Sequence, residues 1–459
     1  MTVHLKKPAA GAIPIHAVDR AGLAAQLAAA PPATRRWLES TGFKGAPDTH
    51  ALVPGDDGTL AAVWAGVHDA RHPWVLAALP MSLPAGRYRL DDSMGLSVDA
   101  EAAARSWSLG GYAYTRYKAA KRKPAELMLP AGAGAQRGLL MADAIKATRE
   151  LVNTPAEEMG PAELAQAVQA VARTHGAKFR QIVGDALLKA GFPSIHAVGR
   201  AATRAPRLIE LTWGKPGDPK LTLVGKGVCF DSGGLDIKSA EGMRQMKKDM
   251  GGAANALGLA SLVMALKLPV RLQLLIPAVE NAIAGNAFRP GDVFRTRKGL
   301  AIEIGNTDAE GRVILCDALA YGAEAQPDLM IDMATLTGAA RIALGAQLPA
   351  LFCRRMALAR ELVDLGLEER DPLWHLPLWR DYHGGIESEI ADIVNTGRGA
   401  QAGAINAALF LEDFVPDDID WLHIDLYAWN DATRPGRPAG GEAQTIRLLF
   451  KYLERRYRE

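Results

Sequence analysis

Short apolar runs recur along the chain from residue 208 onward, separated by longer segments with helical periodicity. Apolar runs of ~4–8 residues are typical of buried strands, whereas helices need roughly ten residues or more. The predicted strands are Leu208–Trp213, Leu221–Val224, Leu272–Pro277, Leu329–Met333 and Trp421–Leu426. Their alternation with helical segments predicts an α/β fold in which a central mixed, largely parallel sheet is flanked by helices.

Helical signals stand before these strands and at the end of the sequence. Residues 137–152 form one predicted helix, and Pro161 begins another, because proline suits the first helical position. The last segment repeats apolar residues at helical spacing: Ile446, Leu449, Phe450, Leu453 and Tyr457. This spacing predicts an amphipathic helix.

The first 130 residues form a smaller predicted α/β unit. Thr59–Val67 and Trp74–Ala78 are predicted strands, and Val98–Leu109 is a predicted helix. A run of Ala and Gly after Pro130 predicts a linker. Because 459 residues exceed the ~250–300 that one core supports, we expect an N-terminal α/β domain at 1–130, a linker and connecting helix at 131–152, and a larger domain at 153–459.

Bulk composition excludes several protein classes. Hydrophobic residues make up 49% and charged residues 23%, as in ordered globular proteins, and the formal net charge is only +2. This balance gives no reason to expect a nucleic acid or an anionic membrane as partner. Cys229, Cys316 and Cys353 show no paired spacing, which argues against a disulfide scaffold or a cysteine-bound zinc.

The sequence shows no targeting or membrane segment. No apolar core follows the early lysines, as a secretory signal requires. The longest apolar stretch, Ala256–Leu266, is far shorter than the ~20 residues of a membrane span. We therefore expect a cytoplasmic protein.

The first cluster of chemically unusual residues follows the predicted strand at 221–224. Lys226 and Asp231 stand among glycines at the carboxyl end of a strand, where α/β sheets place their ligand crevice. A phosphate-binding loop is a poor match, because Gly227 replaces the required Ser or Thr and Lys220 replaces the first glycine.

A second cluster, residues 305–312, contains Asp308 and Glu310. These two residues are two positions apart, so in an extended chain their carboxylates would point the same way. With Asp231 and Asp249 they make four carboxylates, which would repel one another unless cations neutralised them. Such an oxygen-rich set suits paired Mn²⁺, Mg²⁺ or Zn²⁺ ions ~3.5–4 Å apart.

Two strings of sequence carry a family resemblance. NTDAEGR at 306–312 and VGKGVCFDSGGLDIK at 224–238 resemble the leucyl aminopeptidases, the cytosol aminopeptidase family or metallopeptidase family M17, with peptidase B-like members. The resemblance extends from Asn153 to the C-terminus through 277–292 and 334–339, whereas the N-terminal part is similar in position and size only. It implies that residues 153–459 form a dinuclear metallo-aminopeptidase domain.

The resemblance also implies a ligand set. Asp231 and Glu310 would bridge two divalent ions, Mn²⁺ or Zn²⁺; Asp308 would bind one ion, and Lys226 with Asp249 the other. An amine binds a metal only when neutral, so the neighbouring dications would have to depress the pKa of Lys226.

Two further residues are implied in catalysis. The ions would activate a bridging water as the nucleophile, and Lys238 would stabilise the oxyanion of the tetrahedral intermediate. Arg312, always protonated, would hold a bicarbonate ion that shuttles the proton. Because a free N-terminal amine can ligate a metal and an internal amide cannot, the expected activity is that of an aminopeptidase on peptides. The resemblance also implies a homohexamer built as a dimer of trimers.

Substrate-binding positions are implied by the same resemblance: Met246, Asn306, Ala309, Thr335, Leu336, Gly338, Tyr427 and Asn430. Tyr427 and Asn430 depart from the usual pattern. Tyr427 would narrow the pocket or offer a hydroxyl, and Asn430 would add an amide at the pocket floor. We therefore expect a weaker preference for Leu than the family name suggests, with relatively better cleavage of smaller or polar N-terminal residues. The alternative is that Tyr427 points into the core.

Other interpretations of the sequence stay open. A two-metal phosphoesterase would need similar ligands, and some proteins of this family also bind DNA as regulators. Residues 68–72, His-Asp-Ala-Arg-His, imitate a zinc-binding helix, but Pro73 favours a loop with exposed histidines. Cys229 has no nearby histidine to activate it, which favours a small buried residue.

Overall fold

In the computed structural model, which describes residues 2–6 and 11–458, the chain forms two units, each with its own sheet. The N-terminal unit comprises residues 1–146 and 431–439, and the C-terminal unit comprises 147–430 and 440–459. The border lies within one long helix, Ala133–Asn153.

The N-terminal unit is built on a six-stranded sheet. Its strands are β1 Val3–Leu5, β2 Ile13–Val18, β3 His50–Pro54, β4 Leu60–Gly66, β5 Arg87–Leu90 and β6 Glu126–Leu129. Its helices are α1 Leu23–Ala29, α2 Pro32–Ser40, α3 Leu79–Ser82, α4 Ala100–Gly110 and the start of α5, Ala133–Asn153. The strand order is β1-β6-β5-β2-β4-β3, and only the β3–β4 pair is antiparallel.

One strand predicted in this unit is wrong. Trp74–Ala78 forms successive turns that lead into α3. Its amides bond locally: Val75 N–H donates to His72 O, and Ala77 N–H donates to Trp74 O. Five consecutive residues, 73–77, are buried, a pattern that a tight turn allows and an alternating half-buried strand does not.

The predicted linker is also shorter than expected. Only residues 130–132 are irregular, and α5 begins at Ala133. Farther along α5, a Cβ on Gly138 would lie 2.3 Å from the carbonyl oxygen of Glu101 in α4. Glycine at position 138 therefore allows α5 to pack closely against α4, whereas a Cβ on Gly132 of the predicted linker would meet no atom within 4 Å.

The C-terminal unit contains a nine-stranded mixed sheet and two small sheets. The strands are β7 Lys178–Val183, β8 Arg207–Trp213, β9 Lys220–Gly225, β10 Gly227–Asp231, β11 Arg271–Asn281, β12 Val293–Arg295, β13 Ala301–Glu303, β14 Leu329–Ala334, β15 Ala350–Cys353, β16 Trp374–His375, β17 Ile393–Val394, β18 Trp421–Asp425, β19 Trp429–Asn430 and β20 Gly440–Gly441. The large sheet has the order β16-β15-β18-β14-β9-β11-β8-β7, with β10 paired to β11. All five strands predicted between 208 and 426 are confirmed.

Helices cover this sheet. They are α6 Pro161–His175, α7 Ala186–Lys189, α8 Pro193–Gly199, α9 Ala240–Met243, α10 Gly251–Ala265, α11 Glu310–Glu324, α12 Gly338–Leu344, α13 Met356–Glu368, α14 Gly403–Glu412 and α15 Ile446–Arg458; shorter 3₁₀ turns occupy Ala156–Glu158, Met246–Met250 and Arg380–Ile386. The predicted α/β class and the terminal helix are confirmed.

Helix α10 is apolar on all sides because it lies inside the core. Its residues from Gly251 to Ala260 are fully buried, and a Cβ on Gly252 would lie 2.1 Å from the carbonyl oxygen of Met333 in β14. Within residues 2–6 and 11–458, no helix has both the length and the hydropathy to cross a membrane.

A charged pair is buried at the centre of the large sheet. His423 of β18 stands opposite Asp332 of β14, and Nδ1 of the histidine lies 2.6 Å from Oδ1 of the aspartate. Trp421 Nε1 donates to Oδ2 of Asp332 at 2.7 Å. Burial lowers the pKa of His423, but the Asp332 carboxylate outweighs it and raises that pKa above the ordinary value. The structure therefore favours the imidazolium–carboxylate pair.

Replacing Asp332 with Asn is expected to destabilise the fold in a pH-dependent way. Breaking a buried ion pair costs about 3–5 kcal/mol. Because the pKa of His423 is raised in the folded state, the contribution of the pair is complete below pH 6.5, the unfolded value, and declines as the pH rises through the folded pKa. Urea unfolding of both proteins between pH 6 and 9 should show a shrinking difference; a constant difference would contradict this prediction.

Candidate active site

The chemically active side chains gather at the carboxyl ends of neighbouring parallel strands. Lys226 follows β9 directly, Asp231 ends β10 and Asn281 ends β11. Thr335 follows β14, and Asp425 ends β18. This is the crevice position expected from the sequence, because parallel strands bring their carboxyl ends to one edge of a sheet.

Asp308 and Glu310 reach this crevice by a different route from the one predicted. Residues 307–308 form a turn, and Glu310 is the first residue of α11. The expectation that an extended chain points both carboxylates the same way is therefore wrong. The turn and the helix start bring them together instead, and ligand atoms of Asp231, Asp308 and Glu310 lie within 4.8 Å of one another.

Two lysines face the carboxylates. The Nζ of Lys226 lies 2.8 Å from Asp249 Oδ2 and 2.9 Å from Glu310 Oε1. The Nζ of Lys238 lies 2.8 Å from Asp231 Oδ2 and also contacts Asp308 Oδ1. With every group charged, the four carboxylates exceed the two ammonium groups in charge.

Burial and mutual repulsion shape the pKa values of these groups. Burial, followed by the charge of Asp249, raises the pKa of Asp231 to about 6. Burial and then Asp231 raise the pKa of Glu310. Burial lowers the pKa of Lys226, but Asp249 and Glu310 outweigh it and raise that pKa above its ordinary value. The cluster therefore attracts cations, and a neutral Lys226 requires further positive charge beside it.

The residues fit a divalent metal centre. Asp249 Oδ2, Asp308 Oδ1 and Glu310 Oε1 are buried and contact an ammonium group, yet none accepts a well-directed hydrogen bond from any residue that the structure describes. Buried carboxylate oxygens are normally satisfied by hydrogen bonds or coordinated ions. Oxygen donors at this spacing are ligands that Mn²⁺, Mg²⁺ or Zn²⁺ accept.

Asn281 links the two loops that carry the carboxylates. Its Nδ2 donates to Asp231 Oδ1 at 2.9 Å and to Thr307 O at 3.0 Å. Thr307 Oγ1 donates to the carbonyl oxygen of Gly233. The φ of Gly233 is +89°, a backbone conformation that favours glycine. The turn after β10 and the turn before α11 are thus bonded to each other.

Gly311 explains one position of the NTDAEGR string. A Cβ at Gly311 would lie 2.6 Å from Cε and 2.7 Å from Nζ of Lys226. Such contacts are too short for any side chain. Glycine here allows Lys226 to pass α11 and reach Glu310.

Arg312 lies in the first turn of α11 and is largely buried. Its Nη1 donates to Asn395 O at 2.9 Å, while its Nε donates to no group of the described residues. Burial lowers the pKa of Arg312 to about 10, against an opposing effect of Glu310. The guanidinium therefore stays charged at neutral pH.

The implied substrate-binding residues lie around the same strand ends. The carbonyl oxygen of Thr335 accepts a hydrogen bond from Lys226 Nζ, and Thr335 Oγ1 donates one to Asp249 Oδ1. Leu336 donates its N–H to Asp425 Oδ1. Of the remaining positions, Asn430 is buried and Gly338 is exposed, and the others are partly exposed: Met246, Asn306, Ala309 and Tyr427.

The two unusual pocket positions behave differently. The ring of Tyr427 lies between Lys248 Nζ at 4.6 Å and the guanidinium of Arg341 at 5.1 Å, and its hydroxyl donates to Gln245 Oε1 at 3.2 Å. Tyr427 is thus half-buried among cations. Asn430 is buried and donates its amide to Glu442, which also binds Arg149.

Sequence reasoning missed three residues that bond to implied site residues: Asn281 bonds to Asp231, Asp425 to Leu336 and Asn395 to Arg312. Asp425 ends a strand that was predicted, and Asn281 ends β11 within the segment 277–292 that carries the family resemblance. A search for polar residues at strand ends would have found both. Asn395 carries no comparable local signal. Residues 68–72 form a loop, as expected, but of its two histidines only His68 is exposed and His72 is partly buried. Cys229 is fully buried, as expected, and burial raises the pKa of its thiol.

Two family models match the chain. The model of the cytosol aminopeptidase family, catalytic domain, matches residues 146–450, and that of the M17 aminopeptidase N-terminal domain matches residues 13–130. A probable cytosol aminopeptidase of Syntrophotalea carbinolica is 44% identical over 326 residues, 70% of this chain and 65% of that protein, just under two thirds. Another, from Geobacter sp., is 40% identical over 365 residues, 76% of this chain and 74% of that protein.

Solved structures agree. The cytosol aminopeptidase of Coxiella burnetii superimposes with a TM-score of 0.93 at 49% identity and covers 98% of both chains. The bottromycin maturation enzyme BotP in complex with Mn gives a TM-score of 0.87 at 32% identity, over 98% of this chain and 100% of that one. Together with the metal-compatible cluster, these matches show that the chain belongs to the cytosol aminopeptidase family, M17, a family of metal-dependent aminopeptidases.

Proposed function

We propose that this chain is an aminopeptidase that removes the N-terminal residue of peptides with two divalent ions, Mn²⁺ or Zn²⁺. The observation that carries the proposal is the group of clustered carboxylates in which Asp249 Oδ2, Asp308 Oδ1 and Glu310 Oε1 are buried and accept no well-directed hydrogen bond from the described residues. Asp231 and Glu310 would bridge the ions, Asp308 would bind one, and Asp249 with Lys226 the other. When bound, such ions supply Lewis acidity and an activated water.

The chain's own cations complete the proposed chemistry. Lys238 lies beside Asp231 and Asp308. Burial lowers the pKa of its ammonium group, but these two carboxylates outweigh burial and raise that pKa above its ordinary value. A charged Lys238 can donate to the oxyanion that forms at the scissile carbonyl. Arg312, whose Nη1 is fixed by Asn395 O and whose Nε donates to no group among the described residues, is the proposed binding residue for a bicarbonate ion.

Substrate assays with metal analysis test this function. Cleavage of leucine p-nitroanilide without cleavage of p-nitrophenyl phosphate is expected, together with two bound divalent ions per subunit. The reverse preference would favour a phosphoesterase, which the comparisons do not support. A DNA-binding side function would appear as a salt-sensitive mobility shift.

Replacing Tyr427 with Ala is expected to change the order of preferred N-terminal residues. Loss of the ring opens space beside Lys248 and Arg341, so kcat/KM for Leu and Met should rise about 10-fold relative to Ala and Ser. The wild type should correspondingly prefer Leu less than the family name suggests and cleave smaller or polar N-terminal residues relatively better. Comparing Leu, Met, Ala, Ser and Glu p-nitroanilides measures this effect.

Tyr427→Phe provides the matched control, because it keeps the ring and removes only the hydroxyl bond to Gln245. A ranking that Tyr427→Ala leaves unchanged would remove Tyr427 from the pocket.

The proposed assembly is a cytoplasmic homohexamer acting on peptides. Relatives named cytosol aminopeptidases support the location and the substrates. Light scattering of the purified protein is expected to give a mass near six times 49.0 kDa; a monomer at working concentration would refute the hexamer.

A further inference from the structure

Asn395 lies beside the turn that carries Asp308, although the two are far apart in sequence. Strand β17 pairs in parallel with β13, with Ile393 opposite Ile302 and Val394 opposite Glu303. The next residue continues the ladder, since the N–H of Asn395 donates to Glu303 O at 3.0 Å. Asn395 is thereby placed alongside residues 305–309, the 305–309 loop.

The amide of Asn395 bonds to main-chain groups of this loop at both ends. Its Oδ1 accepts from the N–H of Gly305 at 2.8 Å and of Asn306 at 3.2 Å. Its Nδ2 donates to Asn306 O at 2.8 Å and, more weakly, to Ala309 O at 3.4 Å. Asn395 itself is fully buried. A loop without regular structure needs such partners, because unpaired buried main-chain groups are costly.

Two site residues depend on the shape of the 305–309 loop. Asp308 belongs to it, and its N–H donates to Asn306 Oδ1 at 2.7 Å. Asp308 is also the most exposed carboxylate of the cluster, with 34% of its side chain accessible, so its position rests on the loop more than on packing. The main-chain oxygen of Asn395 in turn accepts Arg312 Nη1.

We propose that Asn395 is a positioning residue: its amide fixes the 305–309 loop that presents Asp308 for metal binding, and its main-chain oxygen holds Arg312 in place for its anion. Only an amide offers both a donor and an acceptor in this shape. An aspartate would turn an oxygen toward Asn306 O and Ala309 O, where repulsion replaces two hydrogen bonds. This inference rests on the proposed function.

The test compares Asn395→Ala and Asn395→Asp with Asn406→Ala. Asn406 is a matched control, since it is also buried and lies on the following helix α14. Among the described residues its side chain makes only one long hydrogen bond, at 3.4 Å to Gln401 O. Measurements on the Mn²⁺-loaded proteins are the rate of Mn²⁺ loss to a chelator, kcat and KM for leucine p-nitroanilide, and the urea midpoint.

Both Asn395 variants are expected to release Mn²⁺ about 10–100-fold faster and to lose kcat by a similar factor, the usual scale for residues that orient metal ligands. Their KM should change little, and Asn406→Ala should match the wild type in Mn²⁺ release and kcat. Wild-type Mn²⁺ retention and kcat in both Asn395 variants would overturn the proposal. Equal losses of Mn²⁺ retention and kcat in Asn406→Ala would also overturn it, since the losses would then result from a general decrease in the stability of the fold.

Should Asn395→Ala fail to fold, the isosteric Asn395→Asp decides alone, because it keeps the acceptor for Gly305 and Asn306. A wild-type protein that holds no metal and cleaves no p-nitroanilide would contradict the proposed function itself, an outcome distinct from normal variants of an active enzyme.

Discussion

Asp308→Ala and Glu310→Ala are each expected to lower kcat/KM on leucine p-nitroanilide by more than about 100-fold and to reduce bound metal. Both carboxylates belong to the group whose ligand atoms lie within 4.8 Å of one another, and losing a metal ligand should exceed the ~10–100-fold effect of losing an outer partner. Glu310 also faces Lys226, so its removal leaves a buried ammonium with less compensation. Metal content by atomic spectroscopy and steady-state kinetics measure both effects.

Glu324→Ala is the matched control for Glu310, because it ends the same helix and pairs with Arg297 at an exposed position. Exposed ion pairs contribute at most about 1 kcal/mol, so this variant should keep its metal and its activity. Full activity in Asp308→Ala or Glu310→Ala would refute the dinuclear assignment.

Lys238→Ala is expected to retain metal yet lose about 10²–10³ in kcat, the scale for removal of an oxyanion donor. All four carboxylates remain in place, so the ligand set is intact. The contrary outcome is informative: because Lys238 Nζ contacts both Asp231 and Asp308, a variant that loses metal together with activity would show that the lysine organises ligands instead. Lys238→Met, which keeps the aliphatic chain, separates loss of charge from loss of packing.

The sequence was informative wherever local pattern and tertiary structure agree. Buried strands such as Leu329–Ala334 are mostly apolar, interrupted here by Asp332, and have buried residues on both faces. Such strands appear in a sequence as short apolar runs. Lys226 and Asp231 were placed at strand ends for the same reason. The run Trp74–Ala78 looked like a strand because a short apolar run in a sequence does not distinguish a buried turn from a buried strand.

The remaining features depend on contacts that no local pattern encodes. Asp308 and Glu310 converge through a turn and a helix start, and an extended chain was the wrong geometry to assume. Asn430 faces Glu442, twelve positions away, across the hairpin of β19 and β20. Asn395 meets the 305–309 loop only because β17 pairs with β13, a register set by the whole fold.

That pairing also bears on the order in which the protein is made. Asn395 follows Asn306 by 89 positions, so at ~5–20 residues per second the loop leaves the ribosome roughly 4–18 s before its partner. During this interval water must solvate the main-chain groups that Asn395 later binds, and Asp308 has no fixed direction. Loading of the metal centre should therefore be a late event in biogenesis, one that follows synthesis of the chain through Asn395.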